Sequence, residues 1–205
     1  DSGYQPSKIA PKKIAKPAET YVIQKPRDER IIAGERLKVW NPKRAQWNYC
    51  KPTAAYLYCD RDGEAIGYVI RIDAADGKKI TPQVMWVTTN DGEFCWAWAP
   101  FRKPKPMYRL QDLREGDVWL CEGEKATDAA REMGLNALGW PGGVDGVSLV
   151  DWSPLDGRNV IMWRDNDAAG LKAAHDTSSR QKGYKFTIVG GETARAAGWD
   201  AADAM

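Results

Sequence analysis

The sequence predicts an α/β fold: a small, mainly parallel sheet of about four strands with flanking helices, preceded by a small antiparallel β-rich unit. Three observations predict it. Val118-Trp119-Leu120-Cys121 and Asn159-Val160-Ile161-Met162-Trp163 are apolar runs too short for helices, each ending abruptly in charged residues before a helix-like segment. Runs of this length between polar breaks read as buried strands, and strands alternating with helices imply βαβ units. Ahead of them, β-branched and aromatic runs alternate with Asp62-Gly63, Asp76-Gly77 and Asn90-Asp91-Gly92, which are hairpin signals. Between the two patterns lies a proline-stiffened connector, Phe101 to Arg109.

In chain order, residues 1–19 are rich in Lys, Pro and Ala and read as an extended linker. Residues 20–45 hold Tyr21-Val22-Ile23 and Arg30-Ile31-Ile32 around Pro26; a short helix around 27–38 is the expectation there. A meander of about four strands follows from Ala55 to Trp98, too thin to be stable alone, so it is expected to pack against what comes next. Trp96 and Trp98 share one strand face that Trp86 joins, and core packing is the expected use. Helices are expected at 125–133, 145–152 and 168–182, with Gly134 closing the first. Strands are expected at 136–139, 159–164 and 185–189. The division expected is a basic arm (1–45), a β-rich subdomain (46–109) and an α/β subdomain (110–205).

Of 205 residues, 43% are hydrophobic and 28% charged, the balance of a water-soluble globular chain. No apolar run approaches the ~20 residues of a membrane span, and no signal peptide is visible; a cytoplasmic location is expected. Because the chain begins with Asp1 and stops just after a helix-like stretch, it is expected to be a piece of a longer protein. The cysteines at 50, 59, 95 and 121 form no Cys-x-x-Cys pair, so no zinc is expected in this chain. Cys121, inside an apolar strand, reads as a buried free thiol. The net charge of +2 is uneven: residues 1–45 carry 11 Lys+Arg against 5 Asp+Glu. Such an arm either contacts a polyanion or is a solvated linker. The connector holds Arg102, Lys103, Lys105 and Arg109 without an acid. It reads either as an edge for a nucleic-acid backbone or as a second solvated linker. Arg71, Lys78 and Lys79 are further candidates for DNA contact.

In parallel sheets ligands bind beyond the carboxyl ends of the strands. Glu122, Asp165 and Asp167 fall at two such ends and are expected to meet in one crevice. Carboxylates so gathered repel one another unless a cation joins them, and oxygen-only sites of this kind suit Mg²⁺. Each has a plainer reading beside this one: Asp167 by itself caps the helix beginning at Ala168, and Glu122 by itself is a surface acid. His175, the single histidine, reads as a surface or packing residue.

Glu122-Gly123 after one strand and Asp165-Asn166-Asp167-Ala168-Ala169-Gly170 after another resemble the TOPRIM domain, the metal-binding fold of bacterial-type DNA primases, type IA and II topoisomerases and some nucleases. The likeness covers about residues 117–191. A narrower one covers about 50–205 and rests on Tyr56 to Arg71, the Trp96 hairpin, Glu122-Gly123-Glu124-Lys125 with Asp128-Ala129-Ala130, Trp140-Pro141-Gly142-Gly143, and Gly198-Trp199-Asp200 with Asp203. This pattern resembles the primase region of phage, plasmid and genomic-island primase-helicases, of the bacterial DnaG type.

The resemblance implies a DNA primase that makes short RNA primers on single-stranded DNA by metal-dependent nucleotidyl transfer, for replication of a phage, plasmid or mobile element. It gives Glu122 a role as general base or metal ligand, and Asp165 and Asp167 a role in holding Mg²⁺ or Mn²⁺. Asp200 and Asp203 stand where primases carry a further acidic pair, at a different spacing. Many primases also have an Asp four places after the Glu; here that place is Ala126, and Asp128 is expected on the helix side away from the metal. Gly123, Lys125 and Arg164 are the candidates for contact with nucleotide phosphates. The implied partners are the single-stranded DNA template, nucleoside triphosphates and a replicative helicase within the same longer polypeptide. Any zinc module for choosing the start sequence would lie upstream or be missing. The alternatives are a TOPRIM-type metal-dependent nuclease or topoisomerase fragment, and a non-catalytic DNA-binding module of a primase-helicase.

Overall fold

The computed structural model describes residues 21–26, 29–74, 76–180, 182, 185–190, 196 and 198–204. The linker expected at 1–19 lies outside them, as does Gly191 at the end of the TOPRIM-like region.

The N-terminal part is one eight-stranded sheet. Its strands are β1 (Tyr21–Ile23), β2 (Leu37–Asn41), β3 (Gln46–Cys50), β4 (Ala54–Cys59), β5 (Ala65–Asp73), β6 (Lys79–Ile80), β7 (Gln83–Thr89) and β8 (Phe94–Ala97). The main order is β3-β2-β8-β7-β5-β4, with β1 on β7 and β6 on β5. The expected meander is present as β4 to β8, and the three Asp-Gly turns fall at its hairpins.

Three strands come from the segment before it, which enlarges the meander into a full sheet. The helix expected around 27–38 does not form in the described part of that span. Gly34, at φ +84°, donates its N–H to the Pro52 carbonyl, and Ile31 is buried with Leu37 and Val39 packed in the same cluster. From Leu37 the burial alternates with a period of two, which is a strand's pattern. The sheet is wide enough to bury an apolar layer on each face, around Tyr58, Val69, Met85 and Phe101 on one side and Tyr68, Ile70, Val84 and Trp96 on the other. Trp96 packs edge-on against Tyr68 and Trp86, so the indoles do serve the core.

The C-terminal part is a four-stranded, wholly parallel sheet in the order β10-β9-β11-β12, formed by β9 (Val118–Glu122), β10 (Ala137–Trp140), β11 (Asn159–Trp163) and β12 (Lys185–Val189). Its helices are α1 (Glu124–Glu132), α2 (Gly143–Gly146) and α3 (Ala168–Ser178). The helix expected at 145–152 is instead α2 followed by a 3₁₀ turn at Val147–Leu149. It stops there because Val150 bridges to Lys105 in the connector. α3 ends at Ser178, short of 182.

Side chains alternate across these strands. Val118, Leu120, Val160 and Met162 face Ala173 and Ala174 of α3. Trp119, Cys121 and Trp163 face Ala126 and Ala130 of α1 and Ala201 of the last 3₁₀ turn. The helices therefore lie on opposite faces. The chain leaves β9 through α1 to one side of the sheet and leaves β11 through α3 to the other. The ends of β9 and β11 form the point where the winding reverses, the place such sheets offer to ligands.

Candidate active site

Glu122 closes β9 and Asp165 follows β11, whose Trp163 pairs with Cys121. Pairing adjacent strands in this register puts the two carboxylates side by side although they are far apart in sequence. Two glycines make the turns that aim them. Gly123 sits at φ +81° with open space around it, so the strand-to-helix turn itself, in a conformation L side chains rarely adopt, selects glycine. Gly170 is selected by contact: a Cβ there would run into the Asp165 carbonyl oxygen. The first turn of α3 thus lies directly on the backbone that carries Asp165.

Asp167 is the N-cap of α3, and its Oδ1 accepts the Gly170 N–H at 2.7 Å. The capping reading holds, and Asp167 also belongs to the acidic group. Burial and then Asp167's charge push the Glu122 carboxyl above its ordinary range, partly offset by the N–H that Val144 donates from α2. Burial, Glu122, Asp200 and Asp167 together push Asp165 up to about 7, with Lys79 pulling the other way. Burial first, then Asp165 and Asp200, also push the neighbouring Cys121 thiol up to about 12, which makes it the inert buried thiol expected.

Glu122 Oε2 and Asp165 Oδ1 are buried without a hydrogen-bond partner among the described residues. Buried polar atoms left unpaired are costly, and two acidic oxygens so placed beside like charges fit a cation. Among the described residues no three Asp, Glu, His or Cys side chains converge into a ready-made ligand set. The arrangement is an open carboxylate edge rather than a closed cage. That is the donor set Mg²⁺ takes, because it keeps waters and draws further ligands from phosphates.

Asp200 joins this group through its field on Asp165, and its Oδ1 accepts the Ala202 N–H at 2.6 Å. Asp203 is exposed and turns back to accept the Asp200 N–H; it braces the 3₁₀ turn. Lys125 is exposed in the first turn of α1. Arg164 folds along the motif, its Nη1 donating to the carbonyls of Asp165 at 3.0 Å and Asp167 at 3.3 Å.

The basic candidates separate. Arg102 and Lys103 are exposed. Lys105 is buried, and its backbone bonds to Leu149 and Asp151 tie the connector to the parallel unit. Arg71 pairs with Asp73 at 2.8 Å. Arg109 pairs with Asp128 at 2.7 Å, and Asp128 also accepts from the Tyr108 hydroxyl. Asp128 is therefore a brace at the junction, on the side of α1 away from the acidic group as expected. His175 is exposed.

Sequence reasoning missed Glu124. It is 8% exposed and accepts the Tyr58 hydroxyl of β4 at 2.6 Å, joining the two sheets. The sequence alone assigns it no role of its own, and an acid at the start of a helix carries no local sign of a distant partner.

A parallel sheet with carboxylates gathered at its winding reversal, preceded by a β-rich region, is the architecture that the TOPRIM resemblance implies. Among the solved structures to which the chain is similar are two primases and a complex that contains primase domains. A DNA primase domain from Pseudomonas aeruginosa is 16% identical, with 82% of this chain and 51% of that one covered and a TM-score of 0.49. The bacteriophage T7 lagging-strand DNA polymerase with primase domains bound to an RNA/DNA hybrid and dTTP gives 13% identity, 74% and 73% coverage, and a TM-score of 0.47. The DnaG catalytic core gives 22% identity, 60% and 38% coverage, and a TM-score of 0.40. This chain thus spans about half of the Pseudomonas domain and less of the DnaG core. No family model matches the sequence, and no curated protein does.

Proposed function

We propose that this chain is the catalytic region of a DNA primase, joining ribonucleotides into short primers on a single-stranded DNA template in a metal-dependent reaction. The observation that carries the reading is the gathering of Glu122 and Asp165 at the winding reversal, each raised by burial and by neighbouring acids, with one oxygen on each that has no hydrogen-bond partner among the described residues.

Phosphodiester formation brings a 3′-hydroxyl, a triphosphate and departing pyrophosphate together, all anionic or becoming so. Mg²⁺ or Mn²⁺, when bound, neutralises that charge and aligns the attacking and leaving oxygens. Glu122, Asp165 and Asp167 would hold the ions, and Asp200 adds negative field at Asp165. Glu122 is also the group placed to take a proton, since burial and Asp167 hold its carboxyl above the ordinary range. Lys125 and the backbone N–H groups opening α1 face phosphate, and Arg164 supplies positive charge at the rim. Lys79, from the β-rich sheet, is near enough for its charge to be felt at Asp165, so the hairpin carrying it forms the facing wall. Arg102 and Lys103 are the exposed connector cations left to guide the template; Arg71 and Arg109 first answer to Asp73 and Asp128. A helicase partner in a longer polypeptide and a role in replicating a mobile element belong to the same proposal. No helix among the described residues is long and apolar enough to cross a membrane.

The test is synthesis of labelled oligonucleotides by the wild type and by Asp165→Ala/Asp167→Ala. The double variant is expected to keep its fold and much of its DNA binding while losing synthesis. Retained synthesis rejects the assignment.

A further inference from the structure

We propose that the exposed edge of the β2–β3 hairpin is a separate surface for single-stranded DNA, with its cations on phosphates and the Tyr49 ring under a base. Residues 36–51 hold Arg36, Lys38, Lys43, Arg44 and Lys51 and no acidic residue. All five are exposed, and among the described residues none forms an ion pair with a carboxylate.

The register concentrates these groups on one side. Lys38 pairs with Tyr49 and Trp40 with Trp47, and directly opposed residues share a face. By alternation Arg36 and Lys51 belong to that face too. The Arg36 guanidinium lies 4.1 Å from the centroid of Tyr49, and the Lys38 ammonium 3.7 Å from that of Trp47. Tyr49 is 56% exposed, with the Arg36 guanidinium over one of its faces. An open ring among cations that no carboxylate neutralises is what single strands bind: every base has a face to stack, and the backbone needs counter-charge. Paired bases offer no such face, so duplex DNA fits less well. Lys43 and Arg44 at the hairpin tip extend the cationic track.

This surface is not the acidic site. β3 is the edge strand at the far end of the sheet from β4, and β4 carries Tyr58, which reaches the parallel unit. Five strand spacings, about 24 Å, separate the two edges. The proposal shares a partner with the primase reading but not a site, and binding measured without triphosphates or divalent ions stands or falls independently of Glu122, Asp165 and Asp167.

The experiment is fluorescence anisotropy of a labelled thymidine 20-mer against the whole chain in EDTA, over a range of salt. Lys43→Glu/Arg44→Glu, at an exposed turn where misfolding is not a concern, is expected to weaken binding at least tenfold near 50 mM salt. Arg36→Ala/Lys38→Ala is expected to flatten the slope of log affinity on log salt by about 1.4, two phosphate contacts' worth. Tyr49→Ala is expected to lose fivefold or more with the slope unchanged. Unaltered affinity in the charge variants overturns the proposal. So does equal competition by inorganic polyphosphate or an acidic peptide, which would make the face a general anion surface.

Discussion

The Tyr58 hydroxyl donates to the Glu124 carboxylate at 2.6 Å across the junction of the two sheets, with Tyr58 fully buried and Glu124 nearly so. Burial raises both groups' pKa values, so the bond holds one proton between two groups that each resist ionising. Glu124 opens α1, two places past Glu122, and the bond ties the acidic strand end to the β-rich sheet. Tyr58→Phe is expected to cost about 1–3 kcal/mol, since it leaves a buried acceptor unpaired. Glu124→Gln keeps an acceptor of the same shape and is expected to cost less. Urea unfolding of both variants checks the order.

Asp167 has two tasks that substitution separates. Asparagine caps a helix about as well as aspartate, whereas alanine gives up about 1 kcal/mol. Asp167→Asn is therefore expected to unfold at the wild-type urea concentration yet lose activity and divalent-ion affinity. Asp167→Ala should lose both. Wild-type activity in the Asn variant would reduce Asp167 to a cap.

The acidic site sets a pH dependence. Asp165 is held at about 7 against an ordinary 3.8, by burial first and Glu122 second. Its folded pKa is raised, so the stabilisation it contributes is complete below about pH 4 and is lost as pH rises through about 7. Without metal, the wild type is expected to lose stability between pH 5 and pH 8, and Asp165→Asn to lose less across that window. Added Mg²⁺ should restore stability at pH 8, where the carboxylates are ionised, and do little at pH 5. Urea midpoints at the two pH values, with and without the ion, provide the check.

Gly170→Ala is expected to cost about 1–3 kcal/mol by overpacking. It should also weaken Mg²⁺ binding, because the atom its Cβ would strike is the carbonyl of Asp165. Calorimetric titration with Mg²⁺ beside unfolding distinguishes this from a general loss of stability.

The parallel sheet was legible because its strands are short apolar runs with abrupt ends, and the strand register then brings Glu122 to Asp165. The Asp-Gly turns made the β4–β8 meander legible in the same way. Strands β2 and β3 were not, because Lys38, Asn41, Gln46 and Asn48 interrupt their apolar residues, and their pairing is fixed by burial of Val39 and Ile31 against distant strands. Lys105 looked like an exposed cation because its burial depends on Leu149 and Asp151, partners no local pattern reveals. Glu124 stayed hidden for the same reason, its donor lying 66 positions away.

The most direct measurement incubates the protein with single-stranded DNA, labelled ribonucleoside triphosphates and Mg²⁺ or Mn²⁺, beside its Asp165→Ala/Asp167→Ala variant. Short labelled oligonucleotides from the wild type and none from the variant are the predicted result. Equal synthesis by both, or shortening of the DNA with no need for triphosphates, would contradict it.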